Sequence, residues 1–312
     1  MHKSSTAQKK HIKPPALLKG GTIGIIAPSG RVNRDQLQEG IAWLTSRGIK
    51  VVLGKHLEKT YRYFAGTDQE RAEDFQEMFQ NKTVDAIVCA RGGVGAARII
   101  PLLDSQKLAQ SPKILVGSSD ITSLLLYLNT SFGWVTFHGP MVATMFGNAP
   151  SLEMETAFFD LLAGKIQDMR YKNVSTLRGG HTEGILTGGC LTLICTSIGT
   201  AYEMNTDDKI LFLEDINEAP FRLDRMLSYL KSLRKFDRVK GVIFGQMPGC
   251  HPEDLPEIIN DILGEYHFPI LFGFPSGHGD GTATLPIGLP IHLNGDDASL
   301  KTLEPAVQLK TK

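Results

Sequence analysis

Short apolar runs alternate with helical stripes through the first half of the chain. Thr22 to Ala27 is apolar and is broken by Pro28-Ser29-Gly30, the mark of a buried strand and the loop after it. Asn33 and Gln36 form an N-cap pair of capping-box type. Leu37, Ile41 and Leu44 follow at helical spacing until Gly48 stops the helix. Lys50 to Leu53 reads as a second strand. Thr67-Asp68-Gln69-Glu70 is a full capping box, with Ala72, Phe75 and Phe79 as the apolar stripe behind it. Ala86 to Cys89 is a third strand, and the glycine loop Arg91 to Gly95 leads into a helix. Ile114 to Gly117 is a fourth strand, followed by a helix from Asp120 to Thr130, and Trp134 to Phe137 is a fifth.

This alternation predicts an α/β fold with a mostly parallel sheet, Rossmann-like or flavodoxin-like, and helices on both faces. The pattern changes near residue 150. Residues 153–163 read as a helix, and residues 165–182 are polar and poorly periodic, as a linker would be. Beyond them come short strands at Ile210 to Leu213, Val242 to Phe244 and Ile291 to Leu293. Two amphipathic helices stand among these, one marked by Leu223, Met226, Leu227 and Leu230 and the other by Ile258, Ile259 and Ile262. The predicted organisation is a flexible basic tail (1–15), an α/β domain (16–150), a helix and linker (151–182) and a β-rich C-terminal domain (183–312).

Composition narrows the function classes. Of 312 residues, 33 are Lys or Arg and 33 are Asp or Glu, so nothing in the overall charge draws the chain to nucleic acid or to an anionic membrane. No apolar run is long enough to cross a bilayer, and no secretory signal opens the sequence. The four cysteines (Cys89, Cys190, Cys195 and Cys250) have neither disulfide-scaffold nor zinc-ribbon spacing. A cytoplasmic protein with reduced thiols and no metal is expected.

In parallel sheets, function gathers in the loops after the carboxyl ends of strands. Here those loops are Pro28-Ser29-Gly30, Arg91 to Gly95, Ser118-Ser119-Asp120 and His138-Gly139-Pro140. Gly93-Val94-Gly95-Ala96-Ala97-Arg98 lacks the third glycine of a dinucleotide fingerprint and the acid that should follow it. What remains is a tight turn, or a set of backbone N–H groups suited to an anion. The serine pair is either a helix cap or a nucleophile at a strand-to-helix elbow. Leu211-Phe212-Leu213 ends in the carboxylates Glu214 and Asp215. His278 lies among small residues, Gly277 to Gly281, which leave its imidazole accessible.

Taken together these segments resemble the LD-carboxypeptidase family of serine peptidases. The likeness rests on Ile26-Ala27-Pro28-Ser29-Gly30, Phe64-Ala65-Gly66-Thr67-Asp68 and Arg91 to Arg98. It continues through Gly117-Ser118-Ser119-Asp120, Phe137-His138-Gly139-Pro140-Met141 and Gly188-Gly189-Cys190-Leu191. The stretch Leu213 to Leu227, Gly277-His278 and Thr284 to Gly288 complete it. The resemblance implies a triad of Ser119 as nucleophile, His278 as base and Glu214 as its acid. It also implies an oxyanion hole from the backbone N–H groups of Gly93 and Asp120.

It further implies a small peptide substrate, the tetrapeptide stem of peptidoglycan fragments, cut before its terminal D-Ala in murein recycling. A homodimer needing no cofactor is expected. Arg91, Arg222 and Arg225 are candidates to read the substrate's terminal carboxylate, and Ser29 is a candidate pocket residue. Two other readings are a relative that cleaves peptidyl-nucleotide antibiotics, of the microcin C self-immunity type, and a non-catalytic two-domain protein that binds an anion or nucleotide.

Overall fold

A computed structural model describes residues 11–146, 150–251, 253–279 and 282–309. Most of the expected basic tail, with Lys3, Lys9 and Lys10, lies outside the described residues, as do Asp280 and Gly281 of the segment around His278. In chain order the described strands are β1 (Thr22–Ile26), β2 (Lys50–Leu53), β3 (Ala86–Cys89), β4 (Ile114–Gly117), β5 (Thr136–His138), β6 (Asp168–Arg170) and β7 (Ser175–Arg178). They continue as β8 (His181–Cys190), β9 (Lys209–Glu214), β10 (Gly241–Gln246), β11 (Ile270–Gly277), β12 (Leu285–Ile287), β13 (Pro290–Asn294) and β14 (Ser299–Thr302).

The first sheet has the order β12-β5-β4-β3-β1-β2, with β1 to β5 parallel. It is the flavodoxin-like order, and its crevice opens where the chain switches direction, between β1 and β3. Successive residues of β3 explain why it reads as an unbroken apolar run. Ala86 and Val88 face a core with Leu37, Trp43 and Phe158, whereas Ile87 and Cys89 face another with Phe75, Phe79 and Leu124. The helices that supply these residues begin as their caps require. The Asn33 side chain accepts from the Gln36 N–H, and Thr67 and Glu70 close a reciprocal capping box.

The second sheet, β6-β14-β13-β8-β9-β10-β11-β7, has four parallel strands at its centre and antiparallel strands on both flanks. Helices Leu191–Ser197, Pro220–Ser232 and Leu255–Leu263 pack on one face through Leu191, Ile194, Leu223, Leu227, Ile259 and Ile262. On the other face Ile210, Phe212 and Ile243 meet Leu285 and Ile287 of β12. The C-terminal region is thus a mixed α/β layer. The linker expected over 165–182 holds β6, β7 and the start of β8. Those strands are short, polar and half-exposed, so no apolar alternation marks them.

The two halves are not built from separate stretches of chain. β12, far along the second half, pairs antiparallel with β5 and closes the edge of the first sheet. Nor does the basic stretch trail free along its whole length. Ile12 donates to the Gly133 carbonyl, Ala16 donates to the Gln308 carbonyl, and Lys13 pairs with Glu304.

The helix Thr122–Phe132 bridges to β8, where the Cys190 N–H donates to the Thr122 hydroxyl. Gly189 permits this approach, since a Cβ there would lie 2.7 Å from the Thr122 side chain, and Gly188 admits the neighbouring β9. The φ values of Gly188 and Gly189 are +129° and +145°, and a Cβ at Gly188 would lie 1.9 Å from the Phe212 carbonyl oxygen. Gly188→Ala is therefore expected to lower the unfolding free energy by roughly 2–5 kcal/mol, from backbone strain plus overpacking. Urea unfolding followed by circular dichroism measures this, and an unchanged midpoint would show that β8 can shift freely away from β9.

Candidate active site

Three loops meet at the carboxyl ends of β1, β3 and β4. The Gly30 N–H donates to the Gly92 carbonyl at 3.0 Å, locking the first loop to the glycine loop. A Cβ at Gly30 would come within 2.8 Å of that same oxygen, which is why backbone alone fits there. The Asp120 carboxylate, buried, accepts from the Ser29 hydroxyl at 2.5 Å and from the Ala96 N–H at 2.7 Å. Arg71, also buried, donates to the carbonyls of Pro28 and Gly95 and pairs with Asp68. These bonds make a rigid floor from residues far apart in sequence.

Ser119 stands on that floor, half-buried, with φ +59°. A serine in the left-handed region is strained, and the strain marks the sharp elbow between β4 and the helix that follows. Gly92 packs against it so closely that a Cβ there would lie 2.8 Å from the Ser119 Cβ.

Glu214 ends β9, fully buried and paired in register with Cys190 of β8. Gly245 and Gly277 leave room for it, since a Cβ at either would lie about 3 Å from the Glu214 side chain. Its Oε2 lies 2.6 Å from Nδ1 of His278. Its Oε1 lies 3.4 Å from Nε2 of His138, without the alignment of a closed hydrogen bond. Burial by itself pushes the Glu214 carboxyl up. The imidazoles of His138 and His278 more than offset this and hold it well below the ordinary carboxylate range. Burial pulls His278 down, but the hydrogen bond and charge of Glu214, helped by Asp215, win and raise it above 6.5.

A cleft of about 1250 Å³ opens over these groups, and Ser119, His278, Gly93 and Arg91 all line it. Glu214 sits beneath, out of contact with the cleft. Three of the expected binding residues lie outside the cleft lining. Ser29 is buried and its hydroxyl is taken by Asp120, so it supports the loops and does not line the pocket. Arg222 and Arg225 are exposed on the helix Pro220–Ser232 and do not line the cleft. Arg222 reaches back to Glu218 one turn earlier, and Arg225 lies over the Phe221 ring. The Asp120 side chain likewise points into the loop network, leaving only its backbone for the role expected of it.

Arg170, Tyr171 and Lys172 line the cleft instead. They lie on and just after β6, in the stretch that reads as linker. The available signal was Arg170 and Lys172 flanking Tyr171, two cations at strand spacing beside an aromatic ring. Gln246 and Glu153 also line the cleft, and Glu153 is its one carboxylate among the described residues.

Residues 23–139 match the LD-carboxypeptidase N-terminal domain and residues 183–293 match the LD-carboxypeptidase C-terminal domain. The chain belongs to the LD-carboxypeptidase family. It is accordingly a serine-type carboxypeptidase, and the non-catalytic reading is set aside. It is similar to a probable murein peptide carboxypeptidase of Bacillus subtilis, 36% identical over 291 residues, covering 90% of this chain and 91% of that protein. The fold matches MccF in complex with glutamyl sulfamoyl guanosine at a TM-score of 0.90 and 27% identity, covering 95% of this chain and 100% of that one. It also matches a muramoyltetrapeptide carboxypeptidase from Oxalobacter formigenes at a TM-score of 0.79 and 29% identity, over 90% and 97% of the two chains. Among the described residues no helix is long and apolar enough to cross a membrane.

The strain at position 119 has a measurable consequence. Ser119→Gly relieves a positive φ and is expected to raise unfolding stability by about 1 kcal/mol while removing the hydroxyl. Thermal unfolding checks it, and a variant less stable than the parent would mean that the elbow stores no strain.

Proposed function

We propose that this enzyme releases the terminal D-Ala from murein tetrapeptide fragments, in the cytoplasm, as a step of peptidoglycan recycling. The observation that carries the reading is the 2.6 Å contact between His278 and buried Glu214 beneath a cleft that Ser119 also lines. In this mechanism His278 Nε2 takes the Ser119 proton as the oxygen attacks the carbonyl of the scissile peptide bond. Glu214 holds the Nδ1 proton, fixes the tautomer and offsets the charge of the imidazolium.

The backbone N–H groups of Gly93 and Asp120 receive the oxyanion. Each such donor is worth about 3–4 kcal/mol of barrier. The imidazolium then protonates the departing D-Ala amine, and water attacks the acyl-enzyme with His278 again as base. Exo-cleavage requires recognition of a free carboxylate, and Arg91, Arg170 and Lys172 supply cationic cleft residues for it. Glu153 is the complementary group for the free amine of a diamino acid in the stem.

Incubation with a murein tetrapeptide is expected to liberate D-Ala, read by mass spectrometry. Ser119→Ala lowers the rate at least about a thousandfold. Undiminished turnover in that variant would remove Ser119 from its role. The likeness to MccF bound to glutamyl sulfamoyl guanosine favours a second reading, an enzyme that frees an amino acid from an aminoacyl-nucleotide analogue. Release of glutamate from that compound, with no D-Ala from any stem peptide, would select it.

The rate should also depend on pH with a definite sign. The base must be neutral, and Glu214 holds the His278 pKa above 6.5. kcat/KM therefore rises with pH through a value above 6.5, and a profile flat from about pH 5 to pH 8 would argue against a histidine base.

A further inference from the structure

His138 is the fully buried imidazole that the proposed mechanism leaves without a task. It ends β5, where it pairs in register with Gly117 of β4 on one side and Leu285 of β12 on the other. Gly117 is two residues before Ser119, so the backbone position of His138 is tied to that of the nucleophile. Its ring reaches across to the other sheet. There it meets the Phe212 ring edge-on at 5.0 Å, and its Nδ1 lies 3.4 Å from the Ser276 hydroxyl. Ser276 is itself held, donating to the Ala283 carbonyl at 2.8 Å. The ring is therefore seated on two sides, and its remaining nitrogen, Nε2, lies 3.4 Å from Glu214 Oε1.

Neither of those two atoms makes an aligned hydrogen bond with any other group among the described residues. A carboxylate oxygen and an imidazole nitrogen, both wholly out of water, are costly to bury without a partner. At 3.4 Å each is the natural partner of the other. What the pair lacks is alignment, which a rotation of the carboxylate or the ring supplies, and catalytic contacts commonly align and tighten when substrate binds.

We propose that His138 is a positioning residue: from the first sheet it holds Glu214 Oε1, and so fixes the plane in which Oε2 meets His278. The carboxylate is then gripped from both sheets, by His278 on one oxygen and His138 on the other. The inference rests on the catalytic reading of Ser119, His278 and Glu214. A rotation of the carboxylate would misdirect the His278 ring, and misplacement by about 1 Å can slow a reaction on the order of 100-fold.

The test compares full-length wild type with His138→Leu, which fills the space without a donor. It adds His138→Gln, whose amide N–H falls near the position of Nε2, and His138→Asn, whose shorter side chain places its amide elsewhere. Two rates are read: phosphonylation of Ser119 by a fluorophosphonate probe, which needs no natural substrate, and D-Ala release from a murein tetrapeptide. His138→Leu is expected to slow both by roughly 10- to 100-fold through kcat, with KM within about threefold. His138→Gln recovers most of the loss and His138→Asn does not.

Leu and wild type equal in rate would overturn the inference, as would Gln and Asn impaired alike, since a packing role makes no distinction between them. If His138→Leu fails to fold, the Gln and Asn pair decides alone by the same criterion. A wild type that never reacts at Ser119 refutes the catalytic reading and this inference with it. A reactive wild type with an indifferent position 138 refutes this inference only.

Discussion

Burial of the Glu214 carboxylate between two sheets is the constraint on which the rest of the site depends. An ionised carboxylate out of contact with water survives only where donors surround it. Here imidazoles stand on opposite sides, His278 just after β11 bonded to one oxygen and His138 at the end of β5, 3.4 Å from the other. Glu214 is also in register with Cys190, whose N–H is bonded to Thr122 on the helix that follows Ser119. The charge therefore works as a reference point. The second sheet carries Glu214 and His278, the first carries Ser119, and the two meet around the same carboxylate.

The small residues around it serve that geometry. Gly245 and Gly277 clear space for the carboxylate, Gly188 and Gly189 admit the neighbouring strand and helix, and Gly92 admits Ser119. A glycine content of 32 in 312 residues signals many such places without saying where they converge. The buried Asp120 and Arg71 direct their hydrogen bonds to loop backbone and to the side chains of Ser29 and Asp68. This leaves Gly93 and Ser119 at the cleft surface.

Much of the first sheet was legible in the sequence, because β1, β3 and β4 are covered on both faces and read as apolar runs followed by glycine or proline. The caps at Asn33 and Thr67 were equally plain. The edge strands β6 and β7 were not, since half-exposed polar residues give no period to read. Arg170 and Lys172 were missed for the same reason, while Arg222 and Arg225 drew attention by falling in a familiar motif on an exposed helix. Ser119, Glu214 and His278 stood out individually as a cap or elbow, a strand-end carboxylate and an accessible imidazole. No spacing could join them, because the contact between Glu214 and His278 is made across 64 positions of chain. Their grouping came from resemblance to a family. His138 lay in a loop singled out by position, and only the fold gives it a neighbour.

The crossover of β12 onto β5 carries a consequence for biosynthesis. A ribosome delivers β1 to β5 first, yet the outer margin of β5 stays unpaired until residue 287 emerges. An unprotected strand margin is where nascent chains stick to one another. Maturation of the first sheet is thus postponed until β6 to β11 of the second have been made, and a message truncated before β12 would yield a product with an open, adhesive border.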